Sequence, residues 1–455
     1  MDILPDVVNE INKRKKTIKI TTLDRAVAFR MKRFFSGSFA VDYMTGGGFV
    51  HRRIQLLFGS KSSGKNALLH QMTAYLQRQC RLCGAIYPGY ILPGNKPADR
   101  WTAVLRDLMG YGVCKCDNPT PKRVYVLDYE RVLGIEQPRT IKVFHITDKK
   151  TGEEIDELDY NDSIAFIEEM RLVEGKLTDE QKAKIKETEA FLKTIQIKEQ
   201  VVRQIAVPDY LKKCGVNVSE LLVSDPEDTE EGIELVSEVV RSKQADAIIW
   251  DSLQAAIPRY VKDRGADQAT MGVEAKQNGL LMRQVCSAFA AKDLTDEGEA
   301  YKPALFITSQ VRASIGGFVA SQPTYSGGFA VQHFNSFALE LKKEKWLRED
   351  GTDAPFEENF YGQRVRLRAD KNKISAPGDM FWFDYYFRES DKCAIGIDPI
   401  SEIVELASNV GAIEKAGTWY KMGEQSIQGL SQLKALVREN PTIARELYMK
   451  ILDKI

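Results

Sequence analysis

Residues 54–79 run Ile54-Gln-Leu-Leu-Phe58, then Gly59-Ser60-Lys61-Ser62-Ser63-Gly64-Lys65-Asn66, then Ala67 to Gln79 in a helical pattern. A short apolar strand, a loop of the form G-x4-G-K and a helix form the framework of a phosphate-binding loop. The glycines let backbone N–H groups turn inward, the lysine reaches the outer phosphates, and the helix N-terminus adds its positive end. Gly59 to Ala67 are therefore the candidate nucleotide-binding residues. Asn66 stands where such loops usually place a hydroxyl for Mg²⁺. Its amide oxygen can ligate a hard cation but reaches further, so the residues support nucleotide binding more strongly than fast hydrolysis.

Outward from this loop, apolar runs recur at Val124–Leu127, Ala247–Trp250 and Ala304–Thr308, with helical patterns at Glu231–Ser242 and Gly272–Lys292 between them. Each run is short, continuous and ends in polar residues, as strands buried on both faces of a parallel sheet do. The alternation predicts an α/β fold with a mostly parallel central sheet. Two segments interrupt it. Residues 80–122 carry four of the seven cysteines, and residues 135–206 are highly charged, with eight acidic residues and no Lys or Arg in Thr151–Met170. The second segment reads as a solvated helical hairpin or as a protein-docking surface.

Composition bounds the class. The 455 residues hold 64 basic and 64 acidic side chains and are 43% hydrophobic, which suits a folded chain rather than a disordered one. No run of 18 apolar residues predicts a membrane span, and the first residues lack the apolar core of a signal peptide, so a cytoplasmic location is expected. Zero net charge argues at first sight against a nucleic-acid partner, but it sums unlike segments. The arm through Ser36 carries nine basic residues against four acidic, and Ser309–Asn335 has no Asp or Glu.

Two carboxylates follow strands: Asp251 after Ala247-Ile-Ile-Trp, and Glu130 in Val124-Tyr-Val-Leu-Asp-Tyr-Glu. At the C-terminal edge of a parallel sheet, beside a phosphate loop, the first suits metal binding and the second the orientation of a water. Asn66 and Asp251 are the candidate Mg²⁺ ligands. Cys80-x2-Cys83 and Cys114-x-Cys116 form two close pairs able to converge on a structural Zn²⁺, the alternative being reduced thiols.

These motifs, with Ser36-Gly-Ser-Phe-Ala-Val-Asp-Tyr-Met-Thr-Gly-Gly-Gly48 before the loop, resemble the RecA family of homologous-recombination ATPases. The resemblance covers most of the chain outside the two interruptions. It implies a RecA-like P-loop core at 34–392, an N-terminal helix-strand oligomerisation arm at 1–33 and a small α+β C-terminal domain at 393–455. It assigns Glu130 as the catalytic glutamate and Gln310, in Phe306-Ile-Thr-Ser-Gln-Val-Arg312, as the γ-phosphate sensor. Lys65 and the pair Lys371 and Lys373 complete the catalytic set, the pair reaching the ATP of a neighbouring protomer. Tyr210 falls where an aromatic stacks on adenine, although Val207 stands near where the family has an acid for the adenine amine. Lys276 and Arg283 match DNA-contacting positions, and the Gly-rich segment Ala313–Gly328 matches a DNA-binding loop. Its DNA-facing candidates, with Arg312, are Ser314, Gly316, Gly317, Phe318, Val319, Gly327 and Gly328. The implied function is an ATP- and Mg²⁺-dependent recombinase forming homo-oligomeric filaments on single-stranded DNA and pairing it with duplex DNA in recombination and repair. A nucleotide-glued DNA filament protein with weak turnover, kept open by Asn66, and a ring-shaped DNA motor are the alternatives.

Overall fold

The computed structural model describes residues 33–81, 114–117, 120–131, 133, 140–149, 163, 167, 179–203, 207–242, 244–263, 272–290, 303–312, 324–325, 327–355, 360–375, 380–422 and 425–452. The N-terminal arm, short of its last residue, lies outside them. Among the described residues the main sheet is built from β1 (Ile54–Gly59), β2 (Val124–Asp128), β3 (Leu221–Ser224), β4 (Ala247–Asp251), β5 (Ala304–Arg312), β6 (Phe337–Leu347), β7 (Gly362–Asn372), β8 (Met380–Tyr386) and β9 (Gly396–Ile397). Its order is β9-β8-β7-β6-β1-β5-β4-β2-β3. The six strands from β6 to β3 are mutually parallel, and β7, β8 and β9 continue the sheet antiparallel. The α/β architecture expected from the alternating pattern is thus present. The antiparallel wing was not legible, because β7 (GQRVRLRADKN) alternates Val365, Leu367 and Ala369 with charged residues and reads as one half-buried strand without a partner.

Both faces of the parallel strands are dry. Leu57, Ile249 and Phe306 face one core and Leu56, Phe58, Trp250 and Ile307 the other, all essentially inaccessible to water. On the first face lies α1 (Lys65–Gln77), with Leu68, Leu69, Met72 and Leu76 turned inward. On the second lie α2 (Thr229–Ser242) and α3 (Val273–Ala290). In α2, Ile233, Val236 and Val240 recur at helical spacing and are buried, and the Asp228 carboxylate caps the helix by accepting the Glu231 N–H (2.9 Å). Each fully buried aliphatic side chain of this kind stabilises the fold by roughly 1.5–3 kcal/mol.

The charged interruption differs from its helical reading. Thr140–Asp148 and Ile195–Arg203 pair antiparallel along nine residues each, with the helix Asp179–Thr194 between them in sequence. The alternation of Ile141, Val143 and of Ile195, Ile197 with polar neighbours is the strand signal that the surrounding charge obscured. The acidic stretch Thr151–Met170 lies outside the described residues except for Ser163 and Ile167.

The C-terminal elements share the first core. Ile403 and Val404 of α5 (Pro399–Asn409), Leu433 and Val437 of α6 (Leu430–Glu439) and Leu447 of α7 (Pro441–Leu452) pack with the sheet residues. Lys434 meets Asp384 of β8 at 2.8 Å and Glu405 at 3.2 Å, so the ions are paired where they are buried. Glu402 accepts from the Ser38 hydroxyl and from the Phe39 N–H (3.1 Å) at the start of the helix Phe39–Thr45. Burial pushes the Glu402 and Asp42 carboxyls up to about 8. Between the ordinary carboxyl range near pH 4.5 and about 8 the native chain therefore holds protons that the unfolded chain releases, and stability falls as pH rises through that window. The unfolding free energy measured at pH 5.5 and at pH 8 is expected to drop between them, by on the order of 1 kcal/mol per pH unit for each titrating group. Glu402→Gln should flatten that slope, and an unchanged slope would place the titration elsewhere.

Candidate functional site

The C-terminal ends of four neighbouring strands assemble the site. Gly59 at the end of β1 lies in register with Gln310 on β5, and Asp251 on β4 with Asp128 on β2. At about 4.8 Å per strand the row spans roughly 14 Å, about the length of a nucleoside triphosphate. Gly59 must be glycine, since a Cβ there would come within 2.1 Å of the Leu341 carbonyl oxygen. Gly64 caps α1 with φ 96°, turning the chain so that the helix N-terminus faces the loop. Ser63 and Ala67 are buried beneath the loop, while Lys61 and Ser62 lie exposed on its rim. The Ser62 carbonyl is held by the Gln363 side-chain amide (3.1 Å).

Lys65 Nζ donates to the carbonyls of Gly59 (2.9 Å) and Ser60 (2.8 Å). Burial lowers its ammonium pKa to about 8, partly opposed by Asp251 and Glu130. Asn66 Nδ2 donates to Asp251 Oδ2 (3.1 Å), and the Thr308 hydroxyl donates to Asp251 Oδ1 (2.5 Å). Burial raises the Asp251 carboxyl to about 6, with Glu130 and Asp128 adding to the rise against the Thr308 hydrogen bond and Lys65. The two residues read as metal ligands are thus adjacent, joined through the Asn66 amide N–H.

Glu130 sits in the turn after β2. Arg131 N–H closes that turn on the Asp128 carbonyl (3.1 Å), and Leu133 N–H donates to the Asp128 carboxylate (2.8 Å). The Glu130 carboxylate accepts from Ser252 Oγ (2.8 Å), which holds it beside the Asp251 strand end. Gln310 is exposed at the end of β5. Gln254 brackets it, its Oε1 accepting from the Gln310 N–H (3.2 Å) and its Nε2 donating to the Gln310 carbonyl (3.1 Å) and Ser309 Oγ (2.8 Å). Gln254, Gln363, Ser252 and Thr308 were not singled out from sequence. Of these only Thr308 stands within a motif read above, and nothing local marks a glutamine as a bracket.

The lysine pair is elsewhere. Lys371 lies in register with Ala338, which pairs with Leu56 near the beginning of β1. That is the N-terminal edge of the sheet, about 10 Å back along the strand from Gly59. Lys371 donates to the carbonyls of Gln332 and His333, and Lys373 to that of His333 (3.1 Å), at the end of α4 (Gly328–Phe334). Burial and the neighbouring Lys373 charge lower Lys371 to about 8.

A family model for the RecA N-terminal domain matches residues 182–390, and one for the RecA C-terminal domain matches residues 401–455. The chain belongs to the RecA family. It is 31% identical to Protein RecA of Nocardioides sp. over 249 residues, 54% of this chain and 65% of that relative. It is 32% identical to Protein RecA of Leptospira meyeri over 247 residues, 54% and 58% of the two chains, and 29% identical to that of Chlorobium chlorochromatii over 247 residues, 54% and 64%. The chain thus spans a little under two thirds of the length of these curated relatives. The N-terminal family match begins at residue 182, after the phosphate loop and Glu130, so the reading of those residues rests on their own geometry.

Other residues that the RecA resemblance singled out fall as follows. Tyr210, in the helix Val207–Lys213, meets the His70 ring edge-on (6.2 Å between centroids), one turn beyond Asn66 on α1. Burial holds His70 neutral, near 4, so that wall is uncharged at neutral pH. Lys276 and Arg283 are both exposed on α3, seven residues and hence two turns apart on one face. The Gly-rich segment leaves β5 and returns through Thr324 and Tyr325, which pair antiparallel with Arg312 and Val311. Its stem is therefore fixed, whereas Ser314, Gly316, Gly317, Phe318 and Val319 lie outside the described residues. Gly327 (φ 119°) has a packing requirement of its own, as a Cβ would come within 2.6 Å of Val331 and 2.7 Å of Leu253. Gly328 lies against Ala275 of α3, so the loop's end is coupled to the helix bearing Lys276. Cys80, Cys114 and Cys116 are gathered together, and Cys83 lies outside the described residues. Among the described residues no helix is long and apolar enough to cross a membrane.

Proposed function

We propose that this RecA-family chain is an ATP-dependent recombinase that assembles head to tail on single-stranded DNA and pairs it with duplex DNA. The observation that carries the reading is the division of the catalytic set between opposite edges of one sheet. Lys65, Asp251, Glu130 and Gln310 lie at the C-terminal edge, and Lys371 and Lys373 at the N-terminal edge. One protomer cannot bring both to one phosphate chain. A second protomer stacked in series can, and repetition of that contact makes an open filament.

Within such an interface the phosphate-loop N–H groups and Lys65 bind the triphosphate, and Tyr210 beside His70 offers an uncharged wall for the base. Asn66 and Asp251 supply an amide oxygen and a carboxylate, a donor set that fits Mg²⁺, which when bound would neutralise phosphate charge. Glu130, held by Ser252, orients a water and takes up its proton. The neighbour's Lys371 and Lys373 stabilise the charge that builds on the transferred phosphoryl group. Gln310, bracketed by Gln254 and three residues from the Gly-rich segment, links the γ-phosphate to the DNA-binding loop. Features of the assembly faces support the arrangement. The outer strand β3, which among the described residues pairs only with β2, presents Leu222 and Val223, 42% and 47% exposed, at a sheet edge suited to a neighbour's arm, and Phe329 on α4 is 80% exposed. Repetition along a filament also supplies phosphate contacts that a neutral monomer lacks.

The second reading, nucleotide as structural glue, is favoured by one contact. The Asn66 amide spends a donor on Asp251, where a hydroxyl would serve the metal directly. Electron microscopy of the protein with single-stranded DNA tests the assembly shared by both readings. Filaments are expected with ATP or a non-hydrolysable analogue and not without nucleotide, and their absence under all conditions would remove the proposal.

A further inference from the structure

We propose that Cys80, Cys114 and Cys116 are thiolate ligands of a structural zinc ion that clamps the far end of helix α1 to the entry of strand β2. The three sulfurs lie within 4.8 Å of one another. Zinc–sulfur bonds of about 2.3 Å in a tetrahedron set sulfurs roughly 3.8 Å apart, so the trio closes on an ion with movements of under about 1 Å. Cys80 and Cys114 are buried and Cys116 half-buried. The Cys116 N–H donates to Cys114 Sγ at 3.3 Å, the kind of backbone contact that stabilises a thiolate and orients a metal ligand.

The surroundings form a built site rather than a chance meeting of thiols. Cys80 bridges Pro121 antiparallel, flanked by Arg81 N–H to the Thr120 carbonyl (2.8 Å) and Lys122 N–H to the Gln79 carbonyl (3.0 Å). Lys122 is itself buried, with Nζ on Gln79 Oε1 (2.7 Å). Asp246 balances that charge, meeting Arg81 at 3.3 Å and accepting the Arg123 N–H (2.9 Å). A buried ammonium and a half-buried guanidinium facing one carboxylate leave room for the net negative charge that several thiolates around Zn²⁺ carry.

Position decides the role. Helix α1 runs 13 residues, about 20 Å, from Lys65 to the opposite edge of the sheet. The cluster is therefore remote from Asp251 and Glu130 and acts on stability. It joins the helix that begins at the phosphate loop to the strand that ends before Glu130, closing a segment of more than thirty residues.

Full-length protein purified without chelator tests this by metal emission analysis. About one zinc per chain is expected, with at least three of the seven thiols protected from alkylation under native, reducing conditions. The Cys114→Ser/Cys116→Ser variant should lose most of the metal, whereas Cys214→Ser should retain it. Chelation should lower the Tm of the wild type but not of the double variant. Should that variant fail to fold, cobalt-substituted wild type keeps the question open to measurement, because thiolate-to-cobalt charge transfer requires sulfur ligands. Less than about half an equivalent of zinc with all thiols freely alkylated, or a disulfide within the trio, would overturn the proposal. Neither outcome touches the recombinase reading.

Discussion

Replacing Glu130 by Gln is expected to lower ATP turnover by about 10²- to 10⁴-fold while ATP-dependent DNA binding persists. The substitution keeps the volume and the acceptor for Ser252 Oγ, whose hydrogen bond at 2.8 Å holds the side chain beside Asp251. It removes only the charge that draws a proton from water. Binding rests on other groups, the loop N–H donors and Lys65, and so should change little. A filament that forms but does not turn over is the expected state of this variant. If turnover survived within about threefold, Glu130 would not be the base. If DNA binding were lost as well, its role would be structural, through the turn that Asp128 closes on Arg131 and Leu133.

The second large effect concerns the lysine pair. Lys371→Ala/Lys373→Ala is expected to abolish most DNA-stimulated turnover, although neither lysine approaches the phosphate loop of its own protomer. Because both also hold the end of α4, loss of activity alone does not separate chemistry from local structure. Mixing does. In an equimolar mixture with Lys65→Ala protein, one interface in about four joins an intact phosphate loop to intact lysines, if subunits mix at random along an open head-to-tail assembly. Turnover of the mixture should rise to about a quarter of wild type, from two inactive parents. No recovery in demonstrably mixed filaments would place the lysines outside the shared site.

The parts of the site that the sequence made legible are those whose chemistry is local. The phosphate loop is one continuous segment with a steric rule at Gly59 and Gly64, and Asp251 ends an uninterrupted apolar strand. The parts it concealed are brought together by sheet order. Thr308 reaches Asp251 only because β5 and β4 are neighbours, Gln363 reaches Ser62 across 301 positions, and Gln254 brackets Gln310 across 56. The antiparallel wing and the nine-residue ribbon were hidden for a different reason. Their strands interleave charged residues with apolar ones, and composition overrode a period of two. The separation of Lys371 from Lys65 was not visible in the motifs either, since both edges of a sheet look alike until the register is known.

Charge arithmetic also changes meaning on the folded chain. Balanced totals of 64 and 64 are compatible with a DNA-binding face because acids and bases are segregated. Lys276 and Arg283 stand two turns apart on α3, coupled through Ala275 and Gly328 to the acid-free segment that begins at β5. A few contacts per protomer, repeated, yield the steep salt dependence of a polyelectrolyte ligand.

Whether DNA completes the site is tested most directly by ATP turnover measured with and without single-stranded DNA. The expected result is a low rate for the protein alone and a rise of at least tenfold on adding single-stranded DNA, lost in Glu130→Gln. Equal rates with and without DNA, in protein that binds ATP, would contradict it.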